Sequence, residues 1–232
     1  MSNDQSKSVI LSAVRLALKT HAHVVDPGRP FSLPVARIVG HQTLVERFSE
    51  EIGKLGSKCY VAHSNEDANK YIVEFVKTHG LSRVAISNSP LLSDIGLATM
   101  LENTGTKPSL VDYSGCKDAQ ELGARKRSIR ETLLQTELGI TGASYAIADT
   151  GTLVIGGNDE TNRLTSLMPT VHLAVVRSDQ FMPDLPSVME QLSRSKLNQA
   201  ITLITGPSRT ADIELTLTIG VHGPKELHVV VV

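Results

Sequence analysis

The sequence predicts an α/β fold: a single domain with a mixed, mainly parallel sheet, preceded by an N-terminal helical arm. Three features carry that expectation. Short apolar runs alternate with segments of helical periodicity between residues 41 and 137. In the second half, two strand-like runs flank Asp149-Thr150-Gly151, which reads as a hairpin turn. Near the start, Asp26-Pro27-Gly28-Arg29-Pro30 and Pro34 force an extended linker, because each proline disfavours helix before it. The expected organisation is a helix and Pro-rich arm over 1–40 and an α/β domain over 41–232.

The elements follow in order. Ile10, Val14, Ala17 and Leu18 repeat at helical spacing and predict a helix over 8–20. Leu44, Val45, Phe48 and Ile52 mark one face of a helix near 41–54. Cys59–Ala62 reads as a strand, and Asn65 or Asp67 can cap the next helix, which buries Tyr71, Ile72, Phe75 and Val76. Val84–Ile86 is a strand. Ser89-Pro90 opens a helix to about Glu102, since proline suits a first turn. Ser109–Tyr113 is a strand, and 117–137 is rich in helix formers. Alternation of this kind implies right-handed crossovers and parallel pairing. Beyond it, Ala143–Ala148, Thr152–Ile155, Val171–Val176, Ile201–Thr205 and His228–Val232 read as strands, and Pro183–Arg194 as a helix. Residues 211–220 are ambiguous: apolar residues alternate as in a strand, yet Ser208–Asp212 resembles a helix cap.

Charge and composition exclude whole classes of function. Lys and Arg total 23 against 24 Asp and Glu, a net charge of −1. A dedicated nucleic-acid binder needs a strong basic excess or stripe. Only 3% of residues are aromatic and none is Trp, so no platform for stacking bases is expected. Two cysteines, Cys59 and Cys116, cannot supply a four-thiolate zinc or iron–sulfur site. The apolar stretch Val9–Leu18 is broken by Ser12 and Arg15, which fits neither a signal peptide nor a membrane span. The expectation is a soluble cytoplasmic protein with reduced thiols. The basic run Arg125-Lys126-Arg127 with Arg130 reads as a solvated face paired with Glu121 and Glu131, or as a dock for an acidic partner.

Three stretches at strand ends are dense in Gly and polar groups. The first holds Asp149, Thr150 and Gly151, continuing through Gly156 and Gly157 to Arg163. The second holds Gly206, Ser208, Arg209, Thr210, Asp212 and Glu214. The third is Gly220–Pro224, with His222 and Gly223. Ligands in open α/β sheets bind beyond strand carboxyl ends, and Gly lets backbone approach an anion. Arg209 can grip a carboxylate or phosphate in forked geometry, with Ser208 and Thr210 as further donors. Asp149, Glu214 and His222 are the acid/base candidates, and Asp212 can orient Arg209. Each residue also has a structural reading as a turn, a cap or a positive-φ glycine; together the stretches are expected to share a pocket. His172 and His228 fall in apolar strands and read as core histidines. Asp149-Thr-Gly matches the aspartic-protease triplet, but those enzymes are all-β. No His-Glu-x-x-His segment, phosphate loop, dinucleotide fingerprint or nucleophile elbow is present, and no metal ligation is expected.

Ile140–Val154, Gly206–Glu214 and Gly220–Pro224, in that order, resemble the lactate utilization protein C family, whose shared domain is called the LUD domain. The resemblance is dense over 139–232 and looser before it. It implies a fold like that of glucosamine-6-phosphate isomerase, ribose-5-phosphate isomerase and coenzyme A transferases. It also implies a role in oxidising L-lactate to pyruvate with two iron–sulfur partner proteins. One partner carries a related domain followed by cysteine-rich motifs, an extension this chain is expected to lack. The resemblance thus predicts a non-redox accessory subunit that binds no cofactor itself, the iron–sulfur clusters residing on the partners. A ligand-binding subunit for a small carboxylate or phosphate is the alternative.

Overall fold

The computed structural model describes residues 3–20, 43–157, 161–194, 200–211 and 217–232. The chain divides into two units, Met1–Val35 and Ala36–Val232. In the first, helix α1 runs Asn3–Thr20, starting earlier than its apolar periodicity because no Gly or Pro interrupts the polar residues before it. The proline-rich stretch 26–34 lies outside the described residues.

The second unit opens with α2 (Leu44–Lys54). Its start is fixed reciprocally: Glu46 N–H donates to Thr43 Oγ1 at 3.2 Å, and Thr43 N–H donates to the Glu46 carboxylate at 2.8 Å. Strand β1 (Lys58–Val61) leads to α3 (Asn65–Thr78). The cap of α3 is Ser64, not Asn65 or Asp67. The Asp67 carboxylate instead turns back to accept from His63 N–H and the Tyr60 hydroxyl, both at 2.9 Å. After β2 (Val84–Ser87), the single expected helix is two, α4 (Pro90–Asp94) and α5 (Leu97–Asn103). Gly96 separates them in the left-handed region, at φ 66°. Then come β3 (Ser109–Val111), α6 (Ala119–Leu134), and β4 (Leu138–Gly142).

Strands β5 (Tyr145–Ile147) and β6 (Thr152–Gly157) form the expected antiparallel hairpin. Helix α7 (Thr161–Leu167) is one that apolar periodicity does not announce. Strand β7 (Val171–Val176), short β8 (Phe181–Met182), α8 (Leu185–Arg194) and β9 (Ala200–Ile204) follow. The ambiguous segment contains a two-stranded antiparallel ribbon, β10 (Arg209–Ala211) with β11 (Leu217–Ile219). Ser208 therefore precedes a strand rather than capping a helix. Strand β12 (Glu226–Val231) closes the fold.

The expected mixed sheet resolves into separate sheets. Six strands in the order β1-β12-β7-β4-β2-β3 pair wholly in parallel. Four strands in the order β8-β5-β6-β9 form a second, mixed sheet. Alternate residues of the parallel strands bury on opposite faces. Leu173, Val175 and Val230 join Ile72, Val76 and Leu101 from α3 and α5. Ala174, Val176, Val229 and Val231 face the second sheet's Ala146, Leu153 and Ile155, with Phe48 and Ile52 of α2. The second sheet's far face, at Ile147 and Val154, is covered by Val188 and Leu192 of α8. Among the described residues, no helix is long and apolar enough to cross a membrane.

Candidate functional site

Strands β2, β4 and β7 run in parallel, so their carboxyl ends emerge on one side of the sheet. There they pass into Asn88-Ser89, Ala143-Ser144-Tyr145 and Arg177. Together with Gly156 of β6 and Asn162 of α7, these residues line a cavity of about 490 Å³. That volume falls in the range of small-molecule sites, and the position is where open α/β sheets bind ligands.

Local packing explains the shape. Gly142 ends β4 with bare backbone, and a Cβ there would collide with Ser89 Oγ. The small residue is what lets Ser89 lean over the end of β4. Gly139 does the same for α7: a Cβ there would strike the Thr165 carbonyl and come within 2.9 Å of Pro169. α7 thus lies directly on the sheet and delivers Asn162, whose Nδ2 donates to the Gly156 carbonyl at 2.8 Å. Arg177 donates from Nη2 to Asp94 Oδ2 at 2.6 Å, and its backbone N–H donates to Gln180 Oε1 at 2.7 Å. Asp94 and Gln180 also line the cavity.

At the end of β3, next to this region, the Asp112 carboxylate accepts from Ser114 N–H at 2.9 Å and from the Ser114 hydroxyl. Burial pushes its pKa up, but the Ser114 bonds, the Asn88 side chain and the Arg125 charge together hold it below the usual value.

The LUD domain family model matches residues 45–232, which covers the whole of both sheets and the cavity. The chain belongs to the LUD domain family. It is 26% identical over 234 residues to lactate utilization protein B of Shouchella clausii, covering 81% of this chain and 48% of that protein. It is 38% identical over 95 residues to lactate utilization protein C of Halalkalibacterium halodurans, covering 39% of this chain and 41% of that protein. It is also 22% identical over 173 residues to lactate utilization protein C of Anoxybacillus flavithermus, covering 75% and 73%. The chain spans about half the length of the protein B relatives it matches. Among solved structures, a DUF162 family protein from Deinococcus radiodurans shares the fold, with TM-score 0.55 and 20% identity, over 81% of this chain and 95% of that one.

Of the residues singled out from sequence, Gly156 lines the LUD domain's cavity, and Gly157 follows it in β6. Arg163 is exposed on α7, directly after Asn162. The turn at Asp149–Gly151, the segment Gly206–Arg209 and Gly220–Pro224 approach one another, but at the other end of the sheet. Thr150 and Thr152 are joined by a 2.7 Å hydroxyl bond, and Thr152 meets Thr205 at 2.8 Å. Gly151, at φ 62°, presses on the backbone of Ile52, where a Cβ would come within 2.5 Å of its nitrogen. Asp149 N–H donates to the Pro183 carbonyl at 3.1 Å. Gly206 sits against Leu55, and the Arg209 guanidinium donates to the Leu55 carbonyl. Ser208 N–H donates to Pro224 O and Gly220 N–H to Ser208 O, both at 2.9 Å. Gly223 packs on Ser208, and His222 is exposed. Leu55 precedes β1 and Pro224 precedes β12, so this cluster marks the amino ends of the strands. Thr210 pairs with Thr218 in the ribbon, while Asp212 and Glu214 lie outside the described residues.

Sequence reasoning passed over Asn88, Ser89, Ser144, Asn162 and Arg177. One signal was available for all but Asn162: short polar residues, and one Arg, stand just after short, mainly apolar strands. Cys59 lies in β1 and Cys116 follows β3, the two edges of the parallel sheet, so they cannot share one metal cluster. Among the described residues, no group of three or more His, Cys, Asp or Glu is placed to hold a metal ion.

Proposed function

We propose that this LUD domain is a lactate utilization subunit of the protein C type, acting with iron–sulfur partner proteins in the oxidation of L-lactate to pyruvate. The observation that carries the reading is the family match over 45–232, together with relatives that bear the lactate utilization name. The protein C type is favoured by the 38% identity with one protein C, reached over a stretch of 95 residues.

The reaction breaks the C–H and O–H bonds at lactate's second carbon and forms a carbonyl. Two electrons leave for the partners' iron–sulfur clusters, and two protons leave for solvent. This chain carries no electrons in that scheme. Its two cysteines stand on opposite sheet edges, and it contributes binding and assembly instead. The exposed basic side chains of α6, Arg125, Arg127 and Arg130, are a docking element suited to an acidic partner.

Co-expression with the two iron–sulfur proteins and affinity capture of this chain tests the reading. The expected result is a stoichiometric complex of all three. Capture of this chain alone, with both partners folded and cluster-loaded, contradicts it.

A further inference from the structure

We infer that the cavity at the carboxyl ends of β2, β4 and β7 binds a small carboxylate carrying an adjacent hydroxyl or keto oxygen, anchored by Arg177. The place is argued from geometry; the choice of a hydroxy or keto acid rests on the lactate utilization reading.

Among the described residues lining the cavity, Arg177 is the one cation and Asp94 the one anion. A guanidinium carries five N–H donors in a planar fork, and Nη2 alone is bonded to Asp94. The remaining donors match a carboxylate's two oxygens. Asp94 keeps the local charge near neutral, which favours a monoanion over a phosphate dianion. The lining also supplies the groups that an adjacent oxygen needs. Ser89 and Ser144 bring hydroxyls that both donate and accept. Gln180 has its carbonyl oxygen occupied by the Arg177 N–H, which leaves its amide N–H groups as donors. Gly142 brings Ser89 over the end of β4. A cavity of about 490 Å³ is ample for a three-carbon acid.

Isothermal titration of the full chain with L-lactate, pyruvate and inorganic phosphate tests the site. At least one of the two acids is expected to bind, and more tightly than phosphate. Arg177→Gln is expected to weaken that binding at least tenfold. Asp94→Asn removes the competing carboxylate and is expected to tighten it. Thermal melts confirm that both variants fold. No binding of either acid, tighter binding of phosphate, or unchanged affinity in Arg177→Gln would overturn the inference. A chain that captures its partners yet binds no acid defeats this site and spares the functional reading. A chain that binds the acid through Arg177 but captures no partner does the reverse.

Discussion

His172 is 1% exposed in the middle of the parallel sheet, with Nε2 2.8 Å from Thr141 Oγ1 and Nδ1 unpartnered among the described residues. Burial pushes its pKa down to about 3, so the folded state holds the ring neutral. The unfolded chain protonates the same ring below about pH 6.5. Between those values the unfolded state binds the extra proton. Stability is therefore complete above about 6.5 and falls as pH drops toward 3, at a slope approaching 1.4 kcal/mol per pH unit, or about 2 kcal/mol between pH 7 and pH 5. His228 acts in the same direction, again through burial first. Urea unfolding at the two pH values checks this, and His172→Gln is expected to lose most of its share of the difference. An unchanged pH dependence in that variant would show that another group titrates. Both histidines were legible as core residues because their neighbours along the strand are apolar. Arg177 was harder to see, because its significance lies in which strand ends adjoin it, and that is a property of sheet order.

Two glycines separate the elements that need a missing side chain from those that merely tolerate one. Gly139 of β4 lies under α7, where a methyl group would strike the fixed carbonyl of Thr165. Gly139→Ala is expected to cost about 1–3 kcal/mol, measured as a lowered urea midpoint, because a backbone atom rather than a flexible side chain must yield. Gly53 of α2 has nothing within 4 Å of its Cβ position. Gly53→Ala is expected to stabilise by about 0.5–1 kcal/mol through helix propensity and reduced unfolded-state entropy. Equal effects of the two substitutions would contradict this account of α7. The parallel strands other than β4 were legible because burial on both faces writes them as apolar runs such as Val171–Val176. Strand β4, Leu138–Gly142, was not, because Gly139, Thr141 and Gly142 break up its apolar run. Helix α7 was not: Thr161-Asn-Arg-Leu-Thr-Ser-Leu167 is short and polar. Its buried Thr165 is satisfied by bonding back to the Thr161 carbonyl at 2.8 Å. Its place depends on Gly139, distant in sequence.

At the scale of the molecule, the LUD domain sets two polar regions at opposite ends of one parallel sheet. The Gly-rich cluster at the amino ends ties the β10–β11 ribbon and the β5–β6 hairpin to α2. The cavity at the carboxyl ends gathers side chains from β6, α7 and the segments after β2, β4 and β7. Gly density in the sequence points to the first region, since close backbone contacts demand it there. The second is built by sheet order, β7-β4-β2, which apolar runs do not encode. The α/β class was therefore readable from the sequence, and among the described residues Gly156 was the one singled-out residue to line the cavity. The most direct test is L-lactate-dependent reduction of an artificial electron acceptor by the purified iron–sulfur partners, with and without this chain. The account predicts turnover only when the chain is present, and a rate lowered by Arg177→Gln at subsaturating lactate. Full turnover by the partners alone would contradict it.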